Sequence, residues 1–423
     1  MPSIKSSDYL SAMIAALPAH YSRDILWQVK GTSVAADRRT VLTPDSISIN
    51  VGVRGFFLGA QQELDLNDAD NWDSASPDYT VAANRAGKNF YVYAVWGSGK
   101  SLGLKLSANS TVPSGYTADN SRKVGGFSCL ALAVDHATTL TGWTADTAVA
   151  LGQTLRASTW DGYLYRCVAR AGTFKTHATT EPNWAAVAVD GTVVDNEITW
   201  IKEVHRLESF LAGDILPASV WDLLHRPRCS PEGMVYSDEL HLWVDIWRQT
   251  GSGATTAATY GGTITRSRTW ASLVDDQGQV GKRLLRDHEF QLACTGSNEM
   301  ADRTGAIAAT NTPGATAGGR RCVSHMGCED MTGAGLYHWL LDSTFALQGA
   351  DLDACKAFAW GTSTNYYGQN YGQGTLAGDT KLLAGRQEAD KGGSRQRMFG
   401  GGGSISRYTQ SSYVTTRGCC EPL

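Results

Sequence analysis

Polar and apolar positions alternate, or apolar ones run unbroken, through the first third of the chain. The segments SISINVGV (46–53), NFYVYAVW (89–96) and FSCLALAV (127–134) show this most clearly, each bounded by turn-forming residues. A period of two places successive side chains on opposite faces of a pleated ribbon, so residues 24–135 are predicted to be strands. The intervening DLNDADNWD (65–73) has no Gly or distal Glu at the offsets a calcium loop needs, and reads as a surface loop. Ahead of the strands, Ser7 and Asp8 can cap a short helix with Leu10, Ile14 and Leu17 on its apolar face. This start lacks the apolar core and cleavage site of a signal peptide, which predicts synthesis in a bacterial cytoplasm.

Between residues 139 and 204 turn residues recur every eight to twelve positions and tryptophan is frequent. The spacing predicts a small all-β module. Trp143, Trp160, Trp184 and Trp200 can either stack on sugar faces or fill the module's core, and so small a domain needs most of them as core. No fixed-period repeat accompanies them.

From residue 206 the texture changes. SVWDLL begins as a short helix and passes through a proline-bounded loop into the apolar strand HLWVDIW. GQVGKRLLRDHEFQLACTGS then predicts a turn and an amphipathic helix offering Leu285, Phe290, Leu292 and Ala293 to a core. Residues 330–345 predict another aromatic strand. The irregular WGTSTNYYGQNYGQGTLAGD (360–379) is long enough to expect a functional loop. The pattern divides the chain into a β-rich region at 1–136, an insert at 139–204 and a mixed region at 206–423. The fold class it predicts is α+β, mostly β.

Composition narrows the function. At 423 residues the chain exceeds one ordinary core. A net charge of −4 is too near neutral for general binding to nucleic acid through phosphates. No run approaches the ~20 apolar residues of a membrane span. Charge is nonetheless uneven: residues 381–423 hold seven Lys and Arg against three Asp and Glu, and the remainder 30 against 38. Such a cationic end suits an anionic partner. Nine cysteines leave at least one unpaired within the chain. Cys322-x-x-His325-x-x-Cys328 has no second ligand pair at finger spacing, so buried thiols are expected rather than zinc, and no cofactor is implied. Gly-Ser-Gly-Lys at 97–100 is too short for a phosphate loop, and no Gly-x-Ser-x-Gly elbow follows a strand.

Four stretches carry a more specific message. They are Val112–Thr117 through Arg122–Phe127; Val220-Trp221-Asp222 through Arg226-Pro227, Pro231 and Gly233-Met234; Gly281-Lys282-Arg283-Leu284 with Glu289-Phe290; and Gly393-Ser394-Arg395 with Arg417-Gly418. In this order and spacing the chain resembles the phage major tropism determinant and related variable proteins of diversity-generating retroelements, apart from the insert. The resemblance implies a β-rich N-terminal stalk that forms a homotrimer and a C-terminal C-type-lectin fold. It also implies a non-catalytic, ligand-binding face near the C-terminus, carried on a virion or prophage particle beside other tail proteins. The expected ligand is a host-surface protein or a glycan.

By position, the resemblance puts binding residues at Gln387, Ala389, Lys391, Met398, Thr409, Ser411, Tyr413 and Val414. Composition independently adds Tyr366, Tyr367, Tyr371 and Tyr408, set among Asn, Gln, Gly and Ser as in antibody paratopes. Arg395 and Arg417 are expected to be fixed scaffold, their guanidinium groups satisfying loop carbonyls or a carboxylate. The lectin-fold relatives include formylglycine-generating oxidases, so the adjacent Cys419 and Cys420 are the rival, catalytic reading. Glycan binding by the 139–204 module is the other alternative.

Overall fold

Asn89–Trp96 runs apolar after its first residue, and in the computed structural model it lies inside a four-stranded antiparallel sheet. The sheet order is Trp221–Asp222, Ser121–Ser128, Asn89–Trp96, Leu102–Ser107. The structure describes residues 20–21, 27–97, 102–298, 301, 303–305, 308–331, 337–341, 344–346, 381–383, 386–387, 410, 412 and 414–423. The expected N-terminal helix over Leu10, Ile14 and Leu17 lies outside them.

Two compact units emerge. The first comprises residues 1–133, 210–236 and 421–423; the second comprises 134–209 and 237–420. In the first unit, Phe90, Val92 and Ala94 of the central strand are buried with Ile47, Ile49 and Val51 of a neighbouring sheet. Trp72, Tyr79 and Phe90 form a triangle of rings, each pair 5.1 Å apart. The acidic 65–73 stretch is therefore a surface loop pinned at one end by Trp72, whose indole N–H donates to the Leu66 carbonyl at 3.0 Å.

Residues 210–236 were expected to open the C-terminal domain at 206, yet they belong to the first unit. Ile215 and Val220 pack in its core, and the expected helix is instead the strand Trp221–Asp222, paired with Gly126 and Gly125. That pairing explains two glycines of the 122–127 stretch. A Cβ on Gly126 would sit 2.5 Å from the Phe90 carbonyl oxygen and 2.8 Å from the Trp221 ring. Gly126→Ala is therefore expected to cost about 1–3 kcal/mol by overpacking. Gly103→Ala, whose new Cβ meets only Val95 Cγ2 at 3.9 Å, should leave the denaturant midpoint nearly unchanged. Equal midpoints for the two variants would contradict this packing.

Within residues 139–204 the second unit contains an antiparallel sheet of Thr154–Leu155, Leu164–Arg170, Ile198–Glu203 and Thr192–Asp195. Trp184 and Trp200 are core residues, buried with Leu155, Tyr165, Cys167 and Ile198, and Trp143 packs against them. One carboxylate organises this core: Asp195 accepts from the Trp143 indole at 2.7 Å, the Trp200 indole at 3.2 Å and the His177 amide at 2.8 Å. Sugar stacking by Trp184 or Trp200 is thereby ruled out, since neither ring has a free face.

The rest of this unit holds the helices Trp270–Gln279 and Asp287–Ala293. The second forms where predicted, with Phe290 and Ala293 buried and Leu285 buried just ahead of it, whereas Leu292 is only half-buried. The first begins where the Thr269 hydroxyl accepts from the Ser272 amide at 3.0 Å. Within the predicted aromatic strand at 330–345, the structure forms two shorter ones, Tyr337–His338 and Thr344–Ala346. Among the described residues no helix is long and apolar enough to cross a membrane.

Candidate functional site: a buried frame under the C-terminal segment

The last residues of the second unit are deeply held. Every residue from Val414 to Cys420 is buried, whereas Gln410 and Ser412 just ahead of them are exposed. Two short strands secure this segment. Val414–Thr415 runs parallel to Tyr337–His338, whose other edge pairs antiparallel with Arg386–Gln387. Gly418–Cys420 lies between Leu242–Asp245 and Arg283–Leu284, antiparallel to both. The Trp339 amide donates to the Thr415 carbonyl and the Gln249 amide to the Thr416 carbonyl, each at 2.9 Å. The backbone is thus tied on both sides.

Arg417 is 1% exposed. Its guanidinium donates to the carbonyls of Ile246 (2.5 Å), Asp245 (3.3 Å) and Glu329. It is the carbonyl-satisfying scaffold residue its Gly-flanked position predicts, and so it adds no charge to a cationic binding surface. Beside it the Gly418 amide donates to Asp245 Oδ2 at 2.9 Å, while Lys282 Nζ donates to Asp245 Oδ1 at 2.6 Å. Burial pushes the Asp245 carboxyl above its usual range against the pull of Lys282. A Cβ on Gly418 would meet Gln277 Oε1 at 2.3 Å and Asp245 Oδ2 at 2.7 Å, so this close approach requires glycine.

The Gly281–Leu284 and Glu289-Phe290 stretch now has a physical role. Arg283 grips Glu289 with two parallel bonds of 2.8 Å, and the Glu289 carboxylate also accepts from the Arg286 amide at 2.7 Å. On the far side of Arg417, Glu329 pairs with Arg321 at 2.7 Å and Asp330 with Arg303 at 2.5 Å. Burial raises Glu329 to about 7 despite Arg321. Such a network stores no accessible chemistry; it fixes the backbone from which the preceding residues project.

Of the predicted binding residues, Tyr366, Tyr367, Tyr371, Ala389, Lys391, Met398, Tyr408, Thr409, Ser411 and Tyr413 lie outside the described residues. Gln387 lies on the strand Arg386–Gln387, at the register position opposite Tyr337. Val414 occupies the corresponding position on the other side of Tyr337, and its assignment is corrected. At 2% exposure, packed with Leu273 and Trp339, its side chain belongs to the core and cannot touch a ligand.

The rival catalytic residues fare no better. Cys419 and Cys420 are buried, and the Cys419 thiol rests 3.1 Å from Arg283 Nη1 and 3.5 Å from the Leu284 carbonyl. A thiolate that must reach a peptide substrate needs access this pair lacks. Cys322 and Cys328 are buried free thiols, and burial pushes Cys328 up to about 12. His325, between them in sequence, bonds instead to the Val204 carbonyl at 3.0 Å. Among the described residues no group of three His, Cys, Asp or Glu side chains is placed to hold a metal.

Comparison with known proteins supports this architecture. Residues 49–161 match the family described as Mtd second domain. Among solved structures, the U1 variant of the major tropism determinant superposes with a TM-score of 0.52 at 16% identity, covering 91% of this chain and 81% of that one. The chain has the major tropism determinant fold. The P3c variant gives a TM-score of 0.51, again at 16% identity, with 94% of this chain and 86% of that one covered. The I1 variant gives the same values. No curated protein matches at the sequence level. At this identity the tropism determinant fold is retained through its architecture, mostly β with few helices, rather than through residue-by-residue likeness.

Proposed function

We propose that this chain is a non-catalytic receptor-binding protein of a phage or prophage particle, displaying a changeable binding face just ahead of Val414. The observation that carries this reading is the abrupt passage from exposed Gln410 and Ser412 to the wholly buried Val414–Cys420. A surface that accepts many sequences must lie outside a close-packed core, where one methylene of volume is felt. It must also stand on backbone fixed by other residues, and Arg417, Asp245 and Gly418 supply that. Tyrosine, serine and glycine ahead of the frame give rigid ring area and adaptable hydrogen bonds. The partner is a host-surface protein or glycan, and the working assembly is a homotrimer joined to other tail proteins.

Adsorption competition tests this. Purified full-length chain should bind intact susceptible cells saturably and block adsorption of the particle that carries it. Failure to bind any cell that the particle infects would contradict the proposal. The coding DNA offers a second check, since an adjacent near-copy of the 3′ end differing mainly at adenines is expected beside a reverse transcriptase gene.

A further inference from the structure

Three imidazoles meet where the 139–204 module leaves and rejoins the second unit. His136 precedes the module, His205 follows it, and His325 comes from the C-terminal part of the same unit. Their ring centroids form a chain, with 5.2 Å from His136 to His205 and 5.2 Å from His205 to His325. His136 and His205 are buried, and a Cβ on Gly296 would fall 1.9 Å from the His325 ring, so the backbone covers that ring closely.

Their hydrogen bonds require two of the rings to be neutral. The Leu207 amide donates to His205 Nδ1 at 3.2 Å, which needs a bare lone pair there, while Nε2 donates to the Val323 carbonyl at 3.0 Å. The Arg321 amide donates to His136 Nε2 at 3.2 Å, so the proton of that ring sits on Nδ1, facing Glu208 at 2.6 Å. His325 Nε2 donates to the Val204 carbonyl at 3.0 Å. Each bond joins the stem of the module to residues 321–325 or closes the stem on itself.

We propose that His136, His205 and His325 form a proton-operated latch at the stem of the module, closed while the imidazoles are neutral and opened by acid. Protonating His205 at Nδ1 sets two donors against each other at Leu207, and protonating His136 at Nε2 does the same at Arg321. A charge on His205 lies beside both other rings, and all three rings lie near Arg320, with Arg321 against His136 and Arg206 against His325. The opposing carboxylates are Glu208 against His136 and Glu203 near His325. Although burial works against its charge, Glu203 is held ionised by Arg320 and Arg166, down to about 2, and does not titrate in the window concerned.

The sign follows from linkage. Burial, its largest cause, lowers the pKa of each histidine in the folded protein. The opened stem takes up protons at the ordinary value of ~6.5, so the closed form loses stability as pH falls through that value, until the folded pKa is reached. A histidine that stays neutral to pH 5 shifts the opening equilibrium by about 30-fold over that fall.

Hydrogen–deuterium exchange on the full chain at pH 7.5 and pH 5, corrected for intrinsic rates, tests the latch. The Leu207, Arg321 and His325 amides should lose about 30-fold or more of their protection at pH 5, while Ile198–Glu203 stays protected. His205→Gln keeps one donor and one acceptor but cannot titrate, and it should exchange less pH-dependently than wild type. His325→Gln provides the same comparison should that variant not fold. Equal stem protection at both pH values, an acid loss spread evenly over the chain, or a wild-type pH response in both Gln variants would overturn the proposal.

Discussion

Replacing Arg417 by Met is expected to cost the second unit about 3–5 kcal/mol and lower its melting temperature by roughly 10 °C. Met has similar bulk and no donors, so the carbonyls of Asp245 and Glu329 lose the guanidinium and that of Ile246 keeps only the Glu329 amide at 2.9 Å. An unsatisfied buried polar group costs about 1–3 kcal/mol. Beyond that, Glu329 and Asp330 stand nearby, and removing one cation unbalances a buried charge set. Arg417→Lys keeps the charge but not the fork, so it should recover only part of the loss. Thermal unfolding followed by tryptophan fluorescence checks both variants; a shift of the Met variant below about 2 °C would contradict this role of the guanidinium.

The second large effect is on binding rather than stability. Tyr408→Ala with Tyr413→Ala is expected to weaken attachment to susceptible cells by about 100-fold or more, as loss of two aromatic anchors does at other interfaces. The same double variant should melt within about 1 °C of the wild type, because a binding face of the kind proposed contributes little to folding. Ser412→Ala, a smaller truncation at an exposed site, should change attachment far less. Unaltered attachment in the tyrosine variant would place the ligand elsewhere.

Much of the fold is legible in the sequence because apolar, β-branched and aromatic residues fill its strands between turn-forming residues, even where, as at residues 90–95, both faces are buried. Ile47–Val51 alternates and Asn89–Trp96 runs apolar, and both form strands as expected. The limits have equally physical causes. The helix Trp270–Gln279 buries Asp276 and Gln277 along with Leu273, so its inner face is partly polar and leaves no apolar period to read. Asp276 is there to accept from Gln249 at 3.0 Å and from the Gly253 amide at 2.8 Å. Trp221–Asp222 reads locally as a helix start, but its partner Gly125-Gly126 lies almost a hundred residues earlier, and only that pairing makes it a strand. Val414 is assigned to the binding face only by its position in the resemblance. The run Val414-Thr415-Thr416-Arg417-Gly418-Cys419-Cys420 is buried at every position, so it shows no alternation, and its polar side chains conceal its depth.

The same contrast separates site from frame. Arg417 is recognisable as scaffold because an arginine followed by Gly-Cys-Cys suits a guanidinium that satisfies loop carbonyls, and Gly418 beside it approaches Asp245 and Gln277 closely. Its partners were not recognisable, since Ile246, Glu329 and Asp245 are brought to it by strand pairing across long sequence separations. The tyrosine-bearing segments were singled out by composition, which suits a surface read for chemistry rather than for packing.

The most direct test is saturation mutagenesis of residues 404–420 in the full chain, with folding scored by protease resistance and independently of any ligand. The account predicts broad tolerance from Ser404 through Tyr413, then a sharp fall at Val414 that persists through Cys420. A tolerance profile that is flat across Val414, or that admits charged and bulky residues at Arg417 and Gly418 as freely as at Ser412, would contradict it.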